Sequence, residues 1–293
     1  MFYYQGLSYK LAGKNKIAKE AFWKLRLNDS YLSSASLVEL GKIALSENKY
    51  EEALEVLEKA YGKCGNNTKV AGLYVAALRK AGKLKEAKHF SADALENDPI
   101  DCLLLSEYSL LHGGKQALRE LNKNLHRCKE AGLELAMDYM QAGLWEETVK
   151  ILELAKKKYP SYPLYYYYQG FSLEKLGRKK EAVVNYRLGA LKKDKRVFPW
   201  QLESLEVLDR AIKSIPNLPN TYEYAGNFLT SKLRYKDGLR YFYKAKQLGS
   251  KSSVVYRNIA IGHLQEQTNH REIAGAYEPV SYTHLTLPTI LRV

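Results

Sequence analysis

The chain has 293 residues, enough for a large core or a long stack of repeats. Its apolar content of 46% and charged content of 27% are those of a folded protein, which excludes a disordered chain. Lys and Arg number 46 against 32 Asp and Glu, a formal net charge of +14 that puts nucleic acid among the partners to be weighed. No apolar run approaches the length needed to cross a bilayer. The first residues, MFYYQGLSYK, lack the basic-then-apolar order of a signal peptide, so a cytoplasmic setting is expected. Cys64, Cys102 and Cys128 form no C-x-x-C pair and read as reduced thiols.

In chain order, short segments with helical apolar spacing alternate with turns. Residues 1–28 read as a first helix pair. Residues 32–64 form a second, turning at Asn48-Lys49, and 68–99 a third, turning at Gly82. Residues 101–128 are shorter, with two helices around Gly113-Gly114. Residues 130–160 and 163–194 are regular pairs, the latter turning at Gly177. The run Arg196-Val197-Phe198-Pro199-Trp200 breaks the pattern. An incomplete unit follows at 200–216, a single longer helix over about 200–214 that Pro216 and Pro219 are expected to close. Residues 220–249 pair again, with Tyr235 in the turn, and 253–278 begin a truncated last unit.

The units align on one another. Gly6, Gly41, Gly170 and Gly226 hold one place in four first helices. Ala18, Ala53, Ala87, Thr148 and Ala182 hold one place in five second helices, and three of the spacings are 35, 34 and 34. A helix pair repeating at roughly 34 residues is the period of a tetratricopeptide array. Two helices that cross closely cannot both carry large side chains at the contact, so small residues recur there and aromatics fill the neighbouring grooves. One pair cannot bury its apolar face alone, so neighbours must stack.

The residue order resembles the tetratricopeptide repeat (TPR) superfamily over most of residues 1–278. Tyr166, Gly170, Gly177, Ala182 and Tyr186 carry the resemblance, with Leu40, Gly41, Tyr50, Ala53, Leu57 and Ala60 in an earlier unit. Gly82, Ala87, Ala94 and Pro99, and Gly143, Trp145, Leu152, Ala155 and Pro160, carry it in two more. It departs at Gly189 and Gly238, where Ala is usual, and at 101–128. The resemblance implies an all-α fold, a right-handed superhelical solenoid of antiparallel helix pairs. The stretch FPWQLESLEVLDRAI, then YEYAGNFLTSKLRYKDGLRYFYKA, then VVYRNIAI, resembles the C-terminal array of large bacterial proteins that carry an N-terminal carbohydrate-related domain of unknown function. By the family spacing, Met1 falls about two residues inside its first helix with no N-cap, so the natural chain is expected to begin earlier. Residues 280–293 are similar to a translated transposase sequencing adapter and are expected to be a non-native tail.

No catalytic constellation is expected. The six histidines show no H-E-x-x-H or other ligand spacing, and no Walker or dinucleotide-binding glycine pattern occurs. His112-Gly113-Gly114 is like an esterase oxyanion loop, but no G-x-S-x-G accompanies it, so it reads as a helix corner. Glu51-Glu52 and Glu146-Glu147 read as helix-start acids. The expectation is a non-enzyme with no cofactor and no metal. Lys156-Lys157-Lys158, Lys179-Lys180 and Lys192-Lys193 read as helix C-terminal or turn cations, and charge so dispersed disfavours a nucleic-acid partner.

The family resemblance implies a concave groove lined by first helices. Carried onto this chain, its candidate ligand positions are Lys42, Arg79, Tyr167, Phe171, Asn227 and Arg257. Asn227, beside Gly226, is suited to hydrogen-bond a peptide backbone. The paired Lys/Asn and Lys/Arg set of chaperone-tail-binding members is missing, so no C-terminal carboxylate clamp is expected. The expected function is a protein–protein interaction scaffold that binds a peptide, or a missing N-terminal domain of the same chain. Two alternatives are the non-catalytic TPR region of a larger carbohydrate-active bacterial protein and a nucleic-acid-binding repeat regulator. Gly170→Leu is expected to disrupt a unit contact, and Asn227→Ala to spare folding while weakening a peptide ligand.

Overall fold

The computed structural model describes residues 2–25, 31–64, 67–113, 115–192 and 197–266. The expected non-native tail at 280–293 and the close of the truncated last unit lie outside them. Among the described residues the protein is all-α, with sixteen helices and no strand. They fall in two compact units, 1–160 and 161–293.

The first unit holds five helix pairs: α1 (Phe2–Leu11) with α2 (Asn15–Trp23), α3 (Tyr31–Ser46) with α4 (Tyr50–Cys64), and α5 (Thr68–Lys80) with α6 (Leu84–Asn97). Then come α7 (Cys102–His112) with α8 (Lys115–Leu125), and α9 (Lys129–Gln141) with α10 (Trp145–Lys158). The second unit holds α11 (Pro163–Lys175) with α12 (Lys179–Leu191), the single helix α13 (Ser204–Ser214), α14 (Pro219–Ser231) with α15 (Tyr235–Gln247), and α16 (Ser253–Gln265).

One turn geometry joins most pairs. Gly13, Asn48, Gly82, Gly143, Gly177 and Leu233 have positive φ. The next residue in each case donates its N–H to a carbonyl five positions back, as Arg178 does to Leu173 at 2.9 Å and Arg234 to Leu229 at 2.9 Å. That bond satisfies a carbonyl the helix end would otherwise leave open. Glycine fits this conformation best, because a Cβ there crowds the following carbonyl.

Within the first unit, α9 packs on α3. Lys42 donates to Gln141 Oε1 at 2.8 Å, and a Cβ on Gly143 would lie 2.7 Å from the Ser46 backbone. Lys69 of α5 reaches Asp138 of α9 at 3.4 Å. Polar side chains thus join α9 to α3 and α5.

Within the second unit, α11 is buried from Pro163 through Leu173. Its tyrosine run is apolar all round except for the hydroxyls, the pattern of a helix enclosed by its neighbours. Two hydroxyls are satisfied inside the unit: Tyr168 pairs with Ser204 Oγ of α13 and Tyr167 with Thr221 Oγ1 of α14, each at 2.9 Å.

Four local expectations are corrected. The helix expected from about residue 200 begins at Ser204, because Pro199 lacks an N–H and holds Phe198 out of helical geometry. Pro219 opens α14 rather than closing α13, since its missing N–H is one that a first helical turn leaves unpaired anyway. Tyr235 is the first residue of α15, and the turn falls at Leu233. Lys179 and Lys180 lie in the first turn of α12, both exposed, where solvation and not the helix dipole accommodates their charge.

Candidate functional site

A cavity of about 400 Å³ lies in the second unit. One stripe of α14 forms a wall: Asn220, Glu223, Tyr224 and Asn227, at spacings of three and four that put them on one helix face. Lys192 at the end of α12, Val197 and Phe198, and residues 251–254 at the start of α16 complete it.

Each polar group of the wall has a definite state. Asn220 Nδ2 donates to the Ala190 carbonyl at 2.8 Å, tying α14 to α12. Asn258 Nδ2 donates to Asn227 Oδ1 at 2.8 Å, and both side chains are buried. Arg257 Nε donates in turn to Asn258 Oδ1 at 3.3 Å. Asn227 thus spends its acceptor inside the protein, while its Nδ2 makes no hydrogen bond among the described residues. Ser252 Oγ donates to Glu223 Oε1 at 2.9 Å. Burial raises the Glu223 carboxyl above the usual carboxylate range, and the Ser252 hydroxyl offsets this only in part. Lys192 places its ammonium 4.8 Å from the centre of the Tyr166 ring.

Of the six residues chosen from the sequence, four lie in the second unit and two in the first. Asn227 lines the cavity, and Arg257 is half-buried one residue away from its partner Asn258. Tyr167 and Phe171 lie in the core of the second unit, at 0% and 3% exposure. They were expected to face a groove; α11 is instead enclosed, and Tyr167 stands edge-on to Tyr224, with ring centres 6.0 Å apart. Lys42 and Arg79 belong to the first unit and are spent on internal ion pairs. Lys42 binds Glu39 at 3.0 Å as well as Gln141. Arg79 forks onto both oxygens of Glu107, at 2.6 and 2.9 Å, and reaches Glu147 at 2.9 Å. Tyr139 adds its hydroxyl to Glu107 at 2.9 Å, and Lys80 binds Glu147 at 2.8 Å. Glu147, read as a helix-start acid, is also a buried partner of these cations.

Glu223, Tyr224 and Ser252 went unmarked in the sequence. The available signal was spacing: 223 and 224 precede Asn227 by four and three and share its helix face. Among the described residues no group of three or more His, Cys, Asp or Glu is placed to hold a metal ion, and no helix is long and apolar enough to cross a membrane.

No family model matches the chain, and no curated protein matches it. Solved structures similar to it include a tetratricopeptide repeat protein from Parabacteroides merdae, at 16% identity over 89% of this chain and 97% of that one, with a TM-score of 0.38. Another is the TPR2AB domain of yeast Sti1 in complex with pHSP90, at 17% identity over 96% and 97%, with a TM-score of 0.29. A third is MamA, at 15% identity over 70% and 94%, with a TM-score of 0.28. Among the described residues the fold class is all-α, built of consecutive helix pairs.

Proposed function

We propose that the protein is an interaction scaffold, without chemistry of its own, that binds a peptide segment in the cavity on α14 and α16. The observation that carries this is the state of Asn227. Its oxygen is held by Asn258, which fixes the side chain, and its amide N–H₂ stands at the cavity wall with no acceptor among the described residues. A pre-oriented donor beside an aromatic ring suits a peptide carbonyl and the side chain next to it. The peptide comes from another protein or from an N-terminal domain of the same polypeptide, of the carbohydrate-related kind that precedes the array in the bacterial proteins that residues 198–261 resemble. A cytoplasmic setting is consistent with three free cysteines.

The test uses the full chain, immobilised, and a pool of random hexapeptides blocked at both ends. Val254, half-buried on the cavity wall, is changed to Trp so that the indole fills the space. Peptides retained by the unaltered protein are expected to be lost from Val254→Trp, with helical circular dichroism and melting unchanged. Equal retention by both proteins, or none by either, overturns the reading.

A further inference from the structure

The cavity contains a carboxyl group, that of Glu223, that makes no ion pair among the described residues. It accepts one hydrogen bond, from Ser252. The described cations around it are otherwise placed. Lys192 lies over Tyr166, Arg257 donates to Asn258, and Lys251 is exposed to solvent. None of them counters the upward push that burial exerts on the Glu223 carboxyl. Glu39, Glu47, Glu107 and Glu147, by contrast, each have a cation in contact.

Two aromatic side chains line the same cavity. Tyr224 follows Glu223 in α14, and Phe198 crosses from the segment before α13 with 57% of its surface open. A half-buried carboxylate in a cavity lined by aromatic side chains suits a cation, because the carboxylate offers charge-assisted hydrogen bonds and the rings offer packing for the stem of the guest. An acidic guest would instead bring a second negative charge to a group that already lacks a counter-ion.

We infer that the peptide held in this cavity presents a basic side chain, Arg or Lys, to Glu223, with Phe198 and Tyr224 packed beside its stem. This rests on the peptide-scaffold reading and specifies its ligand. The Asn227 amide holds the backbone, and Glu223 selects the residue.

The retained hexapeptides that Val254→Trp releases are sequenced position by position. Arg or Lys is expected to be enriched at one position by roughly tenfold, the scale of one charge-assisted hydrogen bond. Glu223→Gln keeps an acceptor for Ser252 and the side-chain shape, and should bring that enrichment close to one without changing the melting curve. Glu223→Lys should replace basic residues with Asp or Glu. In the unaltered protein the enrichment should grow as pH rises and Glu223 ionises, and Glu223→Gln should remove that dependence. A cavity-dependent pool with no basic preference, with an acidic preference, or with a basic preference that survives Glu223→Gln overturns the inference and leaves the scaffold reading standing. A pool indifferent to Val254→Trp overturns both.

Discussion

Gly170 lies directly against the ring of Tyr186: a Cβ at position 170 would come within 2.6 Å of Cδ1 and Cε1 and 3.1 Å of the Ala182 carbonyl oxygen. The same contact, between residues sixteen apart, joins Gly6 to Phe22 and Gly41 to Leu57 at 2.5 Å, and Gly226 to Phe242 at 2.6 Å. The hydroxyl of Tyr186 is also held, by Glu174 at 3.0 Å, so the ring has little room to retreat.

Gly170→Ala is therefore expected to destabilise the protein by about 1–3 kcal/mol, overpacking outweighing the helix propensity that Ala adds. Gly62, in α4 with nothing near its missing Cβ, is the control. Gly62→Ala should stabilise by about 0.5–1 kcal/mol. Urea denaturation of the two variants should shift in opposite directions, and Gly170→Leu should lose more than Gly170→Ala.

Leu233 has φ 60° at the turn position that four other pairs fill with glycine, and it is 73% exposed. It loses strain and little packing when removed. Leu233→Gly should stabilise by about 1 kcal/mol, and Gly177→Ala, at φ 78°, should cost a similar amount. Thermal melts of both variants check the sign.

The Arg79 network should behave as a unit. Arg79→Leu leaves Glu107, whose side chain is 0% exposed, with the Tyr139 hydroxyl as its remaining partner among the described residues, and should cost about 3–5 kcal/mol. Arg79→Lys keeps the charge but not the fork and should recover part of the loss.

Acid sensitivity follows from the same side chains. Burial pushes the Glu147 carboxyl up, but Lys80 and Arg79 more than offset it and hold it below the ordinary 4.5. Lys42 and Lys10 do the same for buried Glu39. These groups stabilise the fold above the unfolded carboxylate value, and that contribution is lost as pH falls through their depressed folded values. Asp138 and Glu223, raised by burial, run the other way and favour the fold as pH drops toward their ordinary values. Glu147→Gln should lower stability at neutral pH and flatten its loss below about pH 4.5, measured by urea denaturation across that range.

Asn227→Ala is expected to cost stability as well as binding. It strips the acceptor from buried Asn258 Nδ2, a loss of about 1–3 kcal/mol. The hydrogen bond to Asn258 thus leads to a different expectation from that of the sequence, which predicts that this change spares folding. Asn227→Leu with Asn258→Leu removes both partners and should restore much of the stability while leaving peptide binding lost. Parallel melts and peptide retention separate the two effects.

The repeat was legible because its marks are local. Gly170 and Tyr186 are sixteen residues apart in one hairpin, and Gly177 sits at the turn that needs a left-handed residue. What was not legible depends on what covers a helix face. Alignment placed Tyr167 and Phe171 on a first helix, but not under Thr221 and Tyr224. Nor could it show Lys42 reaching Gln141, ninety-nine positions away. Arg79 read as a groove residue and Glu147 as a helix-start acid because each looks ordinary within its own helix; their pairing exists only in three dimensions. Asn227 was found by its place beside Gly226, whereas Glu223, an acid on a helix, carried no mark until its lack of a counter-ion could be seen.

The most direct measurement is an amide chemical-shift titration of the labelled full chain with one basic hexapeptide from the retained pool. Saturable shifts confined to Lys192, 197–198, Asn220–Asn227 and 251–258, which need roughly tenfold more peptide in Glu223→Gln, are the expected result. Shifts that instead map to α1–α10, or that persist unchanged in Glu223→Gln, would contradict the account.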